Sequence, residues 1–318
     1  MEQTISNKIN IIRVISMILI VLCHYFQYYD MKIAFWLNVG VQIFFIISGL
    51  LYGYKDISNF KKFWKSKFFK IILPYFIVII SYFSYLIITN NKMFSLTDII
   101  YYFTMSQAFN TNISSLAHLW FISYILLFYL LIPILQKFDI SNSKNFYIKL
   151  ILLIIGLQLL QFLNVININV SYISLFIVSY YFSRRYFKYN IKDNYKKIFY
   201  ITLFITFIGI PIQIILENQT LSGIFYKLYI IFHDYIHAFL GITLYLLLLK
   251  ILPNIKSKII DYTSNISYYI YLVHQIFILG TFSLLKFDYG ILISIIIIFV
   301  LSNLLYYICR FINRRFVK

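Results

Sequence analysis

The chain has 318 residues, of which 62% are hydrophobic and only 12% are charged, and its mean hydropathy is +0.83. A soluble domain is about half apolar and about a quarter charged, so this composition excludes a soluble globular protein and indicates lipid as the solvent. A net charge of +18 would suggest nucleic-acid binding in a soluble protein, whereas in a membrane protein Lys and Arg collect in cytoplasmic loops. The two cysteines, Cys23 and Cys309, have neither a disulfide framework nor metal-type spacing.

Ten apolar segments approach the length of about 20 residues that a membrane-spanning helix needs. In chain order they are 9–29, 33–54, 71–89, 118–135, 150–166, 170–187, 198–216, 228–250, 266–285 and 290–309. We therefore predict an all-α fold, a polytopic membrane helix bundle of about ten transmembrane helices, with 1–318 as a single integral-membrane domain. Within the connection 90–117, the segment Asp98–Phe103 is predicted to form a short helix along the membrane interface.

The distribution of cations along the chain predicts the orientation of these segments. If the N-terminus is cytoplasmic, most Lys and Arg fall in inner loops, as the positive-inside rule requires. Arg13 lies inside the first segment, and the cations on the outer side are Lys32, Lys92, Lys227 and Lys286. We therefore predict cytoplasmic N- and C-termini in a multi-pass protein of the cell (cytoplasmic) membrane.

Two ionisable residues in the first segment point to function, because a charge at the bilayer centre costs roughly 2.5–3.5 kcal/mol. Arg13 and His24 are separated by about three helical turns, so they share a helix face and lie about 16 Å apart. A cation below a titratable base suits a long substrate whose anionic end stays on the inner side. The alternative is that Arg13 reaches the inner headgroups and His24 is an interfacial histidine.

Further polar groups lie near the predicted outer side of the membrane. His233 and His237 are four residues apart on one helix face, with Asp234 beside them. A metal site would need a third ligand, so we favour a polar patch that binds an acceptor or orients a base. His118 is the first residue of the predicted span 118–135, two residues before Trp120. It is either a site residue or an anchor at the membrane interface.

A basic, aromatic-rich stretch precedes the third predicted span and includes Lys67 and Lys70. Such a stretch can contact anionic lipids, or it can hold a phosphorylated cytoplasmic substrate. The sequence does not separate these two interpretations.

Five short motifs follow one another along the chain. They are Asn10–Arg13 with Cys23-His24, Gly40–Gly49 (GVQIFFIISG), Phe63–Tyr75 with Lys67 and Lys70 before Pro74-Tyr75, His118–Phe121 (HLWF) and Ser267–His274 (SYYIYLVH). In this order they resemble the acyltransferase 3 family of membrane O-acyltransferases. The chain departs from the family pattern at Gln42, where many members carry Asp or Glu, and at both lysines, where many carry Arg.

The resemblance implies transfer of an acyl group, usually acetyl, from acyl-CoA to a hydroxyl of a cell-surface polysaccharide or its lipid-linked precursor. It implies His24 and Arg13 as catalytic residues, with Arg13, Lys67 and Lys70 binding the CoA nucleotide. His24 would act as general base, or as the nucleophile that forms an acyl-histidine. Acceptor or supporting candidates are His118, Trp120, His233, Asp234, His237 and His274.

The expected partners are acyl-CoA, a surface glycan or lipid-linked sugar, and membrane lipids. No nucleic acid, metal or bound cofactor is expected. Two other classes of function stay open at the level of sequence. Intramembrane charges and Pro211 would suit a polysaccharide or glycolipid transporter, although no two-half repeat of the transporter type is visible. The chain could also be a structural subunit of a polysaccharide synthase complex.

Overall fold

A computed structural model describes residues 3–54, 56–89, 94–109 and 113–316, so Lys55 and Lys92 lie outside the described residues. All regular structure in these ranges is helical, as predicted. The α-helices are α1 Gln3–Tyr28, α2 Ile33–Leu37, α3 Val39–Gly53, α4 Phe60–Lys67, α5 Leu73–Ile88, α6 Leu96–Phe103, α7 Trp120–Lys137, α8 Phe146–Phe162, α9 Val170–Phe187, α10 Tyr195–Glu217, α11 Gly223–Ile251, α12 Lys258–Ile278 and α13 Gly290–Phe316. A π-helical turn, Phe68–Ile72, joins α4 to α5, and a 3-10 turn, Ser114–Leu119, precedes α7.

Within the described residues, seven helices are long and apolar enough to cross a membrane. They are Ile5–Tyr28, Ile33–Gly53, Phe60–Ile88, Ser114–Lys137, Tyr195–Glu217, Gly223–Ile251 and Gly290–Arg315. Three predicted segments are not among these seven. Segments 150–166 and 170–187 correspond to α8 and α9, and segment 266–285 is helical only as far as Ile278, the end of α12. A multi-pass helical protein is therefore confirmed, while the count of ten and the cytoplasmic termini stay predictions.

Two predicted segments differ from the helices observed. The segment 33–54 is divided at Asn38 into α2 and α3. The segment 266–285 continues past Ile278 as a turn, because the backbone N–H groups of Leu279 and Gly280 both return to the carbonyl of Gln275. The predicted short helix in the connection 90–117 is present as α6.

The helices form two compact units. The first contains α1 up to Ile20, residues 36–56 and residues 127–257. The second contains residues 21–35, 57–126 and the chain from Lys258 onward. That the chain forms a single domain stays a prediction.

In the first unit, α3 packs along α9 at two glycines one helical turn apart. A Cβ atom on Gly49 would fall on the hydroxyl of Ser179 and the carbonyl of Phe176. A Cβ atom on Gly53 would fall on the carbonyl of Tyr180. Small residues spaced by four let two helix backbones approach each other in a membrane.

The same unit contains a buried ion-pair network at the end of α9. The Arg184 side chain is 0% exposed and lies 2.8 Å from the Asp56 carboxylate and 2.7 Å from that of Asp139. Lys188 also pairs with Asp56, at 3.0 Å. Asp56 follows α3 and Asp139 follows α7, so the network ties the ends of three helices together.

Burial alone would raise the pKa of Asp139, but hydrogen bonds from Ser141, Arg184 and Tyr189 outweigh it and hold this pKa below its usual value. Burial also acts to raise the pKa of Asp56, and hydrogen bonds from Lys188 and Arg184 lower it overall. Both carboxylates are therefore stabilised in their charged form.

In the second unit, α12 packs against α5, α13 and the 3-10 turn. The last turn of α1 is tied to α13 by a 2.6 Å hydrogen bond between the hydroxyls of Tyr25 and Ser294. The Tyr82 hydroxyl of α5 lies 2.7 Å from the hydroxyl of Thr281, which follows α12. These contacts hold the ends of α1 and α12, which carry two of the five histidines, His24 and His274.

Candidate active site

Three histidines from distant parts of the sequence meet in the second unit. His24 lies near the end of α1, His118 in the 3-10 turn, and His274 in the last turns of α12. The His274 ring lies between the other two, with centroid distances of 5.0 Å to His24 and 4.9 Å to His118. We call this group the histidine cluster.

Hydrogen bonds set the protonated nitrogen of two of these rings. His274 Nδ1 lies 2.7 Å from the carbonyl oxygen of Tyr271, which can only accept, so Nδ1 carries the proton. His274 Nε2 is therefore the basic nitrogen, and it has no hydrogen-bond partner among the described residues. His24 Nδ1 lies 3.0 Å from Oε1 of Gln27, which likewise accepts, so Nε2 of His24 holds the lone pair.

The 3-10 turn that carries His118 is held against α12 by polar contacts. The Tyr271 hydroxyl donates to the carbonyl of His118, and the Gln275 amide donates to the carbonyl of Ser114 at 2.6 Å. The backbone N–H of Thr281 donates to the Ser115 hydroxyl at 2.7 Å. Ser115 and Gln275 carry no signal in the sequence, because each is an ordinary polar residue beside an apolar run.

Exposure separates the roles that the three histidines can have. His118 is 4% exposed and His274 is 0% exposed, whereas His24 is half-buried. His24 is therefore the most accessible of the three histidines. Trp120, at the start of α7, is half-buried and packs its ring edge-on against Tyr124.

Lys67 and Lys70 also belong to the second unit. Lys67 immediately precedes the π-helical turn, and Lys70 lies within it. Lys67 ends α4 with its ammonium 5.0 Å from the Phe63 ring, and Lys70 lies in the π turn with its side chain exposed. The Tyr268 hydroxyl of α12 donates to the Ile71 carbonyl of this turn at 2.9 Å. Single π turns inside α-helices are rare and occur frequently at functional sites.

Arg13 lies on α1 in the first unit and is half-buried. It interacts electrostatically with Tyr52 of α3 and Tyr129 of α7, whose hydroxyls lie 3.3 Å apart. Nothing in the sequence distinguishes these two tyrosines from the other members of a set of 31. Arg13 and His24 lie on the same helix, while a wall shared by their side chains stays a prediction.

The other predicted acceptor residues form a stack of rings in the first unit. His233 and His237 stack at 5.3 Å, and Trp36 stacks on the other side of His237 at 5.2 Å. The Asp234 carboxylate lies 3.2 Å from Nδ1 of His233. No group of three or more His, Cys, Asp or Glu in the described part of the chain could hold a metal ion.

Gln42 is 2% exposed and packs against Gly241 of α11. Its side-chain oxygen has no hydrogen-bond partner in the part of the chain that the structure describes. The amide therefore leaves one polar atom available to a ligand or a water molecule inside the first unit.

Comparison with known proteins identifies a family. The acyltransferase 3 model, described as an acyltransferase domain, matches residues 6–310, which is nearly the whole chain. No curated protein sequence and no solved structure matches the chain with significant similarity.

Proposed function

Because the chain belongs to the acyltransferase 3 family, we propose that it is a membrane O-acyltransferase that moves an acyl group, most simply acetyl, from cytoplasmic acyl-CoA to a hydroxyl of a cell-surface polysaccharide or its lipid-linked precursor. The seven candidate spans agree with a membrane acyltransferase. The observation that carries the proposal is the histidine cluster, in which a half-buried His24 has its Nδ1 held by Gln27 and its Nε2 available as a base.

In the proposed reaction, His24 Nε2 takes the proton from the acceptor hydroxyl. The resulting oxygen nucleophile bonds to the thioester carbonyl carbon, the carbon–sulfur bond breaks, and His24 returns the proton to the CoA thiolate. In the covalent variant, Nε2 bonds to the thioester carbonyl carbon, the carbon–sulfur bond breaks and CoA leaves as the thiolate. The acceptor hydroxyl then attacks the acyl carbon, the carbon–nitrogen bond breaks to leave neutral His24, and the hydroxyl proton goes to the CoA thiolate. Both variants need the same tautomer of His24.

The remaining residues have proposed roles that follow from their chemistry. His118 and His274 are positioning residues, because both are buried and act through the ring of His24. Lys67 and Lys70 attract the phosphates of CoA as point charges. The ring stack of the first unit supplies candidate contacts for the acceptor, and Trp120 of the second unit is a separate candidate.

Arg13, which lies in the first unit, is proposed to bind a phosphate of acyl-CoA. Replacing Arg13 by Ala is then expected to raise the KM for acyl-CoA. A structural subunit of a synthase complex would lose nothing measurable in the same variant.

The first test replaces His24 by Ala and measures transfer of radiolabelled acetyl from acetyl-CoA to the glycan fraction by purified protein in liposomes. Loss of a general base is expected to reduce the rate by about 10²–10⁴-fold. Leu22→Ala is the matched control, because Leu22 is on the same turn of α1, is 38% exposed and touches none of the proposed chemistry. Transfer by His24→Ala at the rate of the control would remove His24 from the mechanism.

The second test separates positioning from chemistry at His274. His274→Ala is expected to lower kcat and to change the pH–rate profile while the KM for acetyl-CoA stays constant, since the buried ring does not reach the donor. Mass spectrometry of the glycan product distinguishes an enzyme from a transporter. Movement of glycan across the liposome membrane without an acyl-CoA-dependent gain in mass would favour the transporter.

A further inference from the structure

The first unit contains a partly open cavity of about 560 Å³ that the proposed chemistry does not use. Its walls come from α1, α3, α9, α10 and α11, and its volume is within the range of small-molecule sites. The aromatic residues that line it are Tyr186, Phe187, Tyr195, Phe199, Tyr200 and Tyr245.

Positive charge is concentrated at one end of this cavity. Lys196 lies in the first turn of α10 and Lys250 in the last turn of α11, and both line the cavity with exposed side chains. Lys8 adds a third cation nearby, since its ammonium donates to the carbonyl of the lining residue Leu249 at 2.8 Å. Among the described residues that line the cavity, none is acidic.

Apart from four tyrosine hydroxyls, the rest of the wall offers little to a polar ligand. The Ser183 hydroxyl already donates to the Leu50 carbonyl at 2.7 Å, so it is occupied within the protein. A CoA nucleotide would place an adenine and several phosphates against a largely aliphatic and aromatic surface, where unpaired polar groups are costly. A hydrocarbon chain has no such cost.

We propose that this cavity binds one acyl chain of an anionic phospholipid, whose phosphate lies against Lys196 and Lys250. The chain fills the apolar space between the helices, and the two ammonium groups attract the headgroup as point charges. A zwitterionic headgroup would add its own cation beside the two lysines, so the site selects for net negative charge. Tyrosines of the lining suit the boundary between headgroups and hydrocarbon.

The test is native mass spectrometry of the full-length protein in detergent with equal amounts of dioleoyl-phosphatidylglycerol and dioleoyl-phosphatidylcholine. The two lipids have identical chains, so the ratio retained reports the headgroup alone. The wild-type protein is expected to retain phosphatidylglycerol in preference. In the double variant Lys196→Gln/Lys250→Gln, the ratio of phosphatidylglycerol to phosphatidylcholine retained is expected to fall by about fivefold for each lysine removed.

The matched control is Lys144→Gln/Lys256→Gln, which removes the same charge from exposed lysines of the first unit that do not line the cavity. Unchanged preference in this control supports the proposal, and an equal loss in both double variants overturns it. Leu246→Trp fills the cavity and is expected to reduce retention of both lipids. Undiminished retention in Leu246→Trp, or displacement of the lipid by stoichiometric acetyl-CoA, would also overturn it.

Discussion

Gly49 offers the sharpest test of how the first unit is packed. In Gly49→Ala, the new methyl group falls on the Ser179 hydroxyl and the Phe176 carbonyl, and it lies 2.9 Å from the backbone nitrogen of Tyr180. Two of these three contacts are backbone atoms of α9, which cannot rotate away as a side chain can. The helices must therefore move apart, and the substitution is expected to destabilise the protein even though Ala favours a helix.

The magnitude follows from two opposing terms. Overpacking costs about 1–3 kcal/mol, and the upper part of that range applies where the contact is with backbone. Replacing Gly by Ala in a helix interior returns about 0.5–1 kcal/mol. The net expectation for Gly49→Ala is a loss of about 2 kcal/mol in the free energy of unfolding.

Gly156 supplies the matched control, because a Cβ atom there meets no atom within 4 Å and the residue is exposed on α8. Gly156→Ala is expected to gain about 0.5–1 kcal/mol from helix propensity alone. Both variants are compared by titration with sodium dodecyl sulfate in mixed micelles, followed by tryptophan fluorescence. A Gly49→Ala protein that unfolds at the same or higher denaturant than Gly156→Ala would refute the close approach of α3 and α9.

Three further predictions concern the polar contacts. Arg184→Met is expected to cost about 3 kcal/mol, because the Asp139 carboxylate is only 12% exposed and loses its main counter-charge, while the exposed Asp56 keeps its pair with Lys188. The same micelle titration measures this loss. The pKa of Asp139 is lower in the folded protein than in the unfolded one, so its stabilisation is complete above the unfolded pKa and is lost as the pH falls through the folded value. Unfolding midpoints measured from pH 7 down to pH 3 should fall in the wild type and much less in Asp139→Asn, and parallel curves would contradict this. Tyr268→Phe removes the hydrogen bond to the Ile71 carbonyl and is expected to lower the free energy of unfolding by about 0.5–1.5 kcal/mol. The same variant is expected to raise the KM for acetyl-CoA. An unchanged KM would show that the π turn does not take part in donor binding.

The helices were predictable because long apolar runs in lipid must satisfy their own backbone hydrogen bonds. The breaks were less predictable. The interruption at Asn38 and the end of α12 at Ile278 depend on local backbone contacts that hydropathy does not record. The π turn at Phe68–Ile72 has no sequence signal beyond the lysines near it.

Charge was the weakest part of the sequence interpretation. Arg184 lies near the end of the predicted span 170–187, where the positive-inside rule leads one to expect a solvated cation, yet its side chain is fully buried and pairs with Asp56 and Asp139. Those two acids follow different helices, so only the packing of the bundle brings them to Arg184. The positive-inside rule treats all such residues alike and does not distinguish a solvated cation from a structural one.

For the candidate site, the histidines were identifiable as polar groups in apolar surroundings. That His24, His118 and His274 meet could not follow from spacing, because they belong to three separate segments of the chain. The roles of Gln27 and Tyr271 in setting the tautomers likewise required coordinates.

The π turn has a geometric consequence for the motif that contains Lys67 and Lys70. A π turn takes in one residue more than an α turn, and one residue corresponds to about 100° of rotation about the helix axis. Because the widened turn absorbs that residue, the Pro74-Tyr75 side of α5 points about 100° away from where an unbroken α-helix of the same length would place it relative to α4. A substitution that converts Phe68–Ile72 into regular α-helix at constant length would therefore re-aim α5 relative to Lys67, whereas deletion of the extra residue would leave the direction of α5 nearly unchanged.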